Sequence, residues 1–220
     1  MVLCACGTDV HKVQSYPTLS KPEIMGVIKD RKVGEGVLRT SVNGINLVFK
    51  TGLEIYISEV EWDLIPISAT KKSLESRNKA MTDHFMLVVG LNAQNKEEQA
   101  SIRNITGMIT FLDDGSALYP SKINQGKRRD CSSMPFLGKE INEPLTIEYR
   151  LDRLSVTSGD DLLADRTDLP LYTCFQFVYD HPIDPRRVFE FRLGELVHSN
   201  GQVNPVRVFF EPGNLRYGHP

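Results

Sequence analysis

Short runs of alternating hydrophobic and polar residues, the pattern of half-buried β-strands, recur along most of the chain. The clearest pair lies within residues 188–211, where apolar residues alternate with charged ones over 189–193 and again around 206–210. Asn200-Gly201 stands between the two runs, and this dipeptide favours the positive φ angles of a tight strand reversal. We therefore predict a β-hairpin here, with an apolar face that needs a second sheet to cover it.

The same pattern predicts further strands on both sides of the middle of the chain. They fall at residues 37–42, 45–50, 53–60, 85–91, 105–112, 117–119, 145–151 and 171–179. Asn43-Gly44 is a second hairpin signal. The acidic pair in Asp113-Asp114-Gly115 also suits a calcium site, but no glutamate follows at the spacing of an EF-hand, so a turn is favoured.

The remaining stretches predict little helix. Residues 20–28 indicate either one short helix or an irregular strand entry, because they begin like a capping box but hold a glycine in the middle. Residues 69–83 have too few apolar side chains for a buried helix face, which favours a surface loop with at most a short helical turn. We also expect a long loop over 121–144 and a loosely packed polar tail over 212–220.

Many short strands separated by turn signals are typical of two antiparallel sheets packed face to face. The predicted fold is mostly β, an antiparallel immunoglobulin-like β-sandwich with long loops and little helix. We expect one sandwich domain over residues 21–220, preceded by a lipobox remnant and a polar tether within residues 1–20. A subdivision near residues 120–145 is the alternative, because the strand groups on either side are similar in size.

Composition and charge argue against a nucleic-acid partner and a membrane-spanning helix. The 220 residues are 40% hydrophobic and 25% charged, which are ordinary values for a globular protein. The formal net charge of −2 gives no electrostatic footprint for nucleic acid, so no nucleic-acid partner is expected. No apolar run approaches the roughly 18 residues of a membrane-spanning helix.

The first residues carry the clearest sign of cellular location. Leu3-Cys4-Ala5-Cys6, followed by Gly7, resembles the lipobox of bacterial lipoproteins. The resemblance implies an export signal that is cut before Cys6, acylation of Cys6, and a periplasmic protein anchored to the outer membrane of a Gram-negative bacterium. An export signal has an apolar region of roughly 7–15 residues, and only Met1-Val2-Leu3 precede the motif, so either a further segment lies upstream of this sequence or the match arises by chance. The alternatives are a plain N-terminus and a Cys-x-Cys metal pair, but no second cluster of Cys and His completes a zinc site.

Under this resemblance Cys4 leaves with the signal and Cys6 carries lipid, which leaves Cys131 and Cys174. An even pair of cysteines in an exported chain predicts a disulfide. Two free thiols in a cytosolic protein are the alternative. A nucleophilic Cys131 beside two arginines is a third interpretation, but the sequence offers it no convincing base.

Motifs of catalysis are absent from the sequence. There is no G-x-S-x-G, no G-x-x-x-x-G-K-[ST], no H-E-x-x-H and no G-x-G-x-x-G that opens a helix. The five histidines are scattered singly. We therefore predict no catalytic residue, no metal ligand and no cofactor.

Three functions from different classes fit these observations. The favoured one is a non-catalytic periplasmic lipoprotein whose sandwich binds another protein of the envelope. The alternatives are an immunity protein that neutralises a toxin delivered into the periplasm, and a hydrolase or carbohydrate-binding domain. The predicted fold does not rank these functions, since function depends on the site, and the oligomeric state stays open.

Overall fold

The structure is a computed structural model. It describes residues 10–22, 28–32, 35–58, 68–93, 100–128, 131, 139–141, 149–151, 154–155 and 170–216. In chain order the elements are β1 (Val10–Thr18), β2 (Lys29–Asp30), β3 (Val37–Val42), β4 (Ile45–Thr51), β5 (Glu54–Ser58), α1 (Ser68–Asp83), β6 (Phe85–Ala93), β7 (Ala100–Arg103), β8 (Met108–Phe111), β9 (Ala117–Leu118), β10 (Lys122–Arg128), β11 (Lys139–Glu140), β12 (Tyr149–Leu151), β13 (Leu154–Ser155), β14 (Pro170–Tyr179), β15 (Phe189–His198) and β16 (Val203–Arg216).

These strands form two sheets that pack face to face. The first, of nine strands, follows the order β12-β7-β15-β16-β1-β5, with β8 paired to β15, β9 paired to β8, and β2 paired to β16. The second, of seven strands, follows the order β11-β10-β14-β6-β4-β3, with β13 on β14. Every pairing among the described strands is antiparallel except that of β2 with β16. The mostly-β antiparallel sandwich predicted from the sequence is confirmed.

The main core lies between the sheets and is rich in aromatic side chains. Phe177 of β14 meets Phe191 of β15 edge to face, with ring centroids 5.2 Å apart. Within the nine-stranded sheet Phe189 stacks on Phe210 at 4.9 Å. Each such side chain contributes about 1.5–3 kcal/mol when fully buried. Core residues come from both sides of residues 120–145, so the described strands share one core across the boundary considered above.

The two Asn-Gly hairpins are confirmed. Asn43 and Gly44 have φ angles of 45° and 79° and join β3 to β4. Gly201 has a φ angle of 81° in the turn between β15 and β16. Both turns therefore use the left-handed backbone that Asn and Gly adopt most easily.

The tether predicted within residues 1–20 is wrong for its described part, because Val10–Thr18 forms β1 between β16 and β5. The sequence of β1 is largely polar, yet residues 13–16 are all buried. Polar groups find partners inside, as where the Ser15 hydroxyl donates to the carbonyl of Pro185 at 3.3 Å. Backbone pairing with β16 on one side and β5 on the other therefore makes β1 a strand, although its hydrophobic pattern is weak.

The loop predicted over residues 121–144 contains β10 and β11, and the tail predicted over 212–220 continues β16 as far as Arg216. In β10 only Ile123 reaches the main core, so apolar alternation is missing from this strand. Its seven residues all pair with β14 instead. The hydrophobic partner strand, not the sequence of β10, sets its conformation.

The surface loop predicted over residues 69–83 is also wrong, since these residues belong to α1. The helix has little apolar face, but it is rich in strong helix formers, and Lys79 pairs with Asp83 one turn later. It also lies beside β5. Of the short helix considered for 20–28, residues 23–27 lie outside the described residues. Among the residues described, no helix is long and apolar enough to cross a membrane.

Candidate functional site

The predicted site residues fall into two groups. Cys6, with the rest of the lipobox-like Leu3-Cys4-Ala5-Cys6, lies outside the described residues. Cys131 and Cys174 are joined by a disulfide, as predicted, with their Cα atoms 5.6 Å apart. Both cysteines are buried and pack against Val88 and Tyr172 in a small cluster separate from the main core.

The disulfide lies on the outer face of the seven-stranded sheet, where a glycine faces Cys174 on each neighbouring strand. In the strand register Cys174 lies opposite Gly90 of β6 on one side and opposite Gly126 of β10 on the other. A Cβ atom on Gly90 would stand only 2.5 Å from the sulfur of Cys131. Glycine within a strand often marks such a close approach. The absence of a side chain at Gly90 therefore leaves space on this face of the sheet for the disulfide.

The scattered histidines include one that the fold pairs with a carboxylate. His84 Nδ1, just after α1, lies 2.9 Å from Asp180 Oδ1, just after β14, and both side chains are exposed. The adjacent side chains of Ser121 and His84 hold the pKa of Asp180 below its ordinary value. The Ser121 hydroxyl donates to the carbonyl oxygen of Val178 at 3.1 Å, whereas in a hydrolase triad the serine hydroxyl donates to the imidazole. This group ties loop ends together and lacks the triad arrangement.

The acidic turn after β8 is closed by an arginine. Arg187 Nη2 lies 2.5 Å from Asp113 and 2.8 Å from Asp114, while its guanidinium stands 3.8 Å over the ring of Phe111. The hydrogen bond from Arg187 lowers the pKa of Asp113, and hydrogen bonds from Ser116, with Arg187, lower the pKa of Asp114 to about 2. The arrangement supports a turn in place of a calcium site. Within the described residues no group of three or more His, Cys, Asp or Glu side chains is placed to hold a metal ion.

The outer face of the nine-stranded sheet carries a charged group that no sequence motif indicates. Arg192 of β15 and Arg207 of β16 lie directly opposite each other in the register. Arg192 Nε donates to the nearly buried carboxylate of Glu190 at 2.9 Å, and this bond raises the pKa of Arg192. Arg207 Nη1 lies 4.0 Å from the same carboxylate oxygen. Two arginine side chains, 51% and 61% exposed, thus stand over one acid.

A β-bulge in β15 places Arg192 directly opposite Arg207. The register between β15 and β16 shifts by one residue between Arg192 and Gly194, and Leu193 and Leu196 both point into the core. A Cβ atom on Gly194 would lie 2.5 Å from the carbonyl oxygen of Arg103, so the bulge needs glycine there. The sequence signal for the bulge is the break in alternation after Leu193.

Comparison with known proteins adds one distant structural likeness. No family model and no curated protein matches the sequence. Among solved structures, the chain is similar to a DUF4426 family protein from Pseudomonas aeruginosa PAO1, with 12% sequence identity and a TM-score of 0.34. The similarity covers 81% of this chain and 95% of that chain. A likeness of this size shows neither the family nor the function of the chain.

Proposed function

We propose that the protein is a non-catalytic lipoprotein of the Gram-negative envelope, anchored to the outer membrane through Cys6, whose β-sandwich binds another envelope protein. The observation that carries the proposal is the disulfide between Cys131 and Cys174. Disulfides persist in oxidising compartments such as the periplasm and are rare in the cytosol. Gly90, opposite Cys174, leaves room for the bond, which favours a permanent crosslink over a chance pair of thiols.

The start of β1 sets how far the sandwich can stand from a lipid anchor. Val10 begins the strand only four residues after Cys6. Four residues span at most about 14 Å when extended. Acylation of Cys6 would therefore hold the nine-stranded sheet close to the membrane, within reach of membrane-bound partners.

A binding role is favoured over hydrolysis because the polar clusters described above hold the fold together. Arg187 fastens the turn at Asp113 to the loop that enters β15. His84 and Asp180 join the end of α1 to the end of β14. These side chains have structural partners, and the exposed faces of the sheets are the surfaces that the proposal assigns to binding.

Photo-crosslinking in the native host tests the proposal. A photoreactive residue replaces Tyr119 or Val203, which are exposed large side chains. We expect at least one position to give a discrete crosslink to one envelope protein. The Cys6→Ser variant, which cannot be acylated, should lose both the membrane fraction and the crosslink. Soluble, cytosolic protein with no discrete product from either position would contradict the proposal.

A further inference from the structure

Among the described residues, the side chain of Arg207 makes an ion pair with Glu190 but no hydrogen bond. An arginine carries five N–H donors in a planar fork. In the part of the chain that the structure describes, the contact of the Arg207 side chain is the 4.0 Å approach to Glu190, which is beyond hydrogen-bond distance. The side chain is 61% exposed, so its donors are open to a ligand from outside.

The placement of Arg192 directly across from Arg207 would by itself destabilise the sheet, because both side chains are positively charged. Like charges placed directly across a strand pair destabilise a sheet. Glu190 offsets one of the two positive charges, because its carboxylate accepts hydrogen bonds from both Nε and Nη2 of Arg192. One positive charge remains without a counterion in this group, although the whole chain has a net charge of −2.

Apart from Arg207, the residues paired with Arg192 and Glu190 on the neighbouring strands are uncharged. Met108 of β8 lies opposite Arg192, and Thr110 and Phe209 lie opposite Glu190 on its two sides. Glu190 fixes the guanidinium of Arg192 in place before any ligand arrives. Preorganised donors of this kind lower the ordering cost of binding.

A second ion group on β16, around Glu211, differs from this pair because both of its cations hydrogen-bond the carboxylate. Glu211 is also approached by two cations, but Lys29 and Arg31 both hydrogen-bond its carboxylate. Arg31 also packs over the ring of Tyr16, with 5.4 Å from its guanidinium carbon to the ring centroid. That group is closed by contacts within the protein, whereas the donors of Arg207 are not used within the described residues.

We propose that Arg192 and Arg207 form the docking point for an acidic segment of a protein partner, one carboxylate of which bridges the two guanidinium groups. Paired arginines match the planar geometry of a carboxylate and bind it through parallel N–H···O bonds. Arginine is also enriched in protein interfaces. The proposal rests on the protein-binding function above and names the surface and the chemistry that would carry it.

Nuclear magnetic resonance of the full 220-residue chain tests this directly. The probe is a ten-residue glutamate peptide, with a glutamine peptide of equal length as its uncharged match, at low ionic strength. We expect saturable shifts of the Nε–Hε signals of Arg192 and Arg207 with the acidic peptide alone. Arg207→Gln should weaken binding about tenfold, the size of a lost charge-assisted bond.

Arg103→Gln is the matched control. Arg103 is a half-exposed arginine of the same sheet, but it already donates to Glu195 at 3.0 Å, so its loss should leave the affinity unchanged. Arg207→Gln removes no side-chain hydrogen bond to any described residue and should keep the fold intact. Equal weakening by both variants, or no shift with the acidic peptide, would overturn the proposal.

A titration with anionic phosphatidylglycerol vesicles distinguishes binding to a membrane surface from binding to an acidic peptide. Shifts of the two arginine signals with vesicles but not with the peptide would replace the protein partner by a lipid surface and so overturn the proposal. Failure with the peptide would leave the proposed function standing if the photo-crosslink from Tyr119 or Val203 still forms in the Arg207→Gln protein, because that partner would then bind without this pair of arginines. The two proposals therefore fail separately.

Discussion

Gly90 and Cys131 are in contact across a space that has no room for a side chain. A Cβ atom on Gly90 would lie 2.5 Å from the Cys131 sulfur and 2.9 Å from its Cβ atom. Gly90 stands in the middle of β6, opposite Cys174. The strand, its glycine and the disulfide therefore form one packing unit outside the main core.

The first prediction concerns this contact. Gly90→Ala should destabilise the protein by about 1–3 kcal/mol, the usual cost of overpacking a tight site. Chemical denaturation measures the change. Cys131→Ala removes the sulfur, so in that background the cost of Gly90→Ala should be smaller, and the two changes should not be additive. Strict additivity would mean that the contact does not limit the space.

The second prediction concerns the crosslink itself. Cys131→Ala combined with Cys174→Ala should lower the free energy of unfolding by about 4 kcal/mol, given a sequence separation of 43 residues in the chain-entropy description. Reduction should lower the melting temperature of the wild type. The double variant should melt at the same temperature with and without reductant. A wild-type melting curve unaffected by complete reduction would remove the stabilising role of the bond.

The third prediction concerns a buried hydroxyl. Tyr179 stacks on Phe85 and donates its hydroxyl proton to the carbonyl of Gly107 at 2.5 Å, and burial raises its pKa well above the ordinary value. Tyr179→Phe leaves that carbonyl without this donor and should cost about 1–3 kcal/mol. Tyr119→Phe, at an exposed tyrosine, is the control and should cost less than about 0.5 kcal/mol. Equal effects would show that the hydrogen bond adds no stability.

The fourth prediction concerns acid. The pKa of Asp114 is lowered from 3.8 to about 2 in the folded protein, chiefly by hydrogen bonds from Ser116. A carboxyl whose folded pKa is depressed stabilises the fold above its unfolded pKa, and this stabilisation is lost as the pH falls from about 4 towards 2. Asp114→Asn should therefore flatten the fall in melting temperature over that interval. An unchanged slope would contradict the assigned cause.

The sequence could predict those elements in which the residues favour, by themselves, the same conformation that the fold requires. Asn43-Gly44 and Asn200-Gly201 mark real hairpins because Asn43, Gly44 and Gly201 take positive φ angles. The strand at 85–91 is found because both of its faces are buried, one by the main core and one, at Val88, by the disulfide cluster. In these stretches neighbouring elements reinforce what the residues favour on their own.

The sequence could not show where tertiary pairing overrides the local pattern. Strand β1 is polar but buried between two strands, and β10 takes its conformation from β14. The disulfide pairing could be predicted because few cysteines remain once an export signal is assumed. The pairing of Arg192 with Arg207 could not, because the bulge before Gly194 decides which residues face each other.

The intact mass of the protein, expressed from its full native reading frame in its own host and measured with and without reductant, distinguishes an envelope lipoprotein from a cytosolic protein. We expect a mature chain that begins at Cys6, carries acyl mass, and gains on reduction the hydrogens of one disulfide, Cys131–Cys174. A chain that still begins at Met1, with all its thiols free, would contradict the envelope location and with it the proposed function.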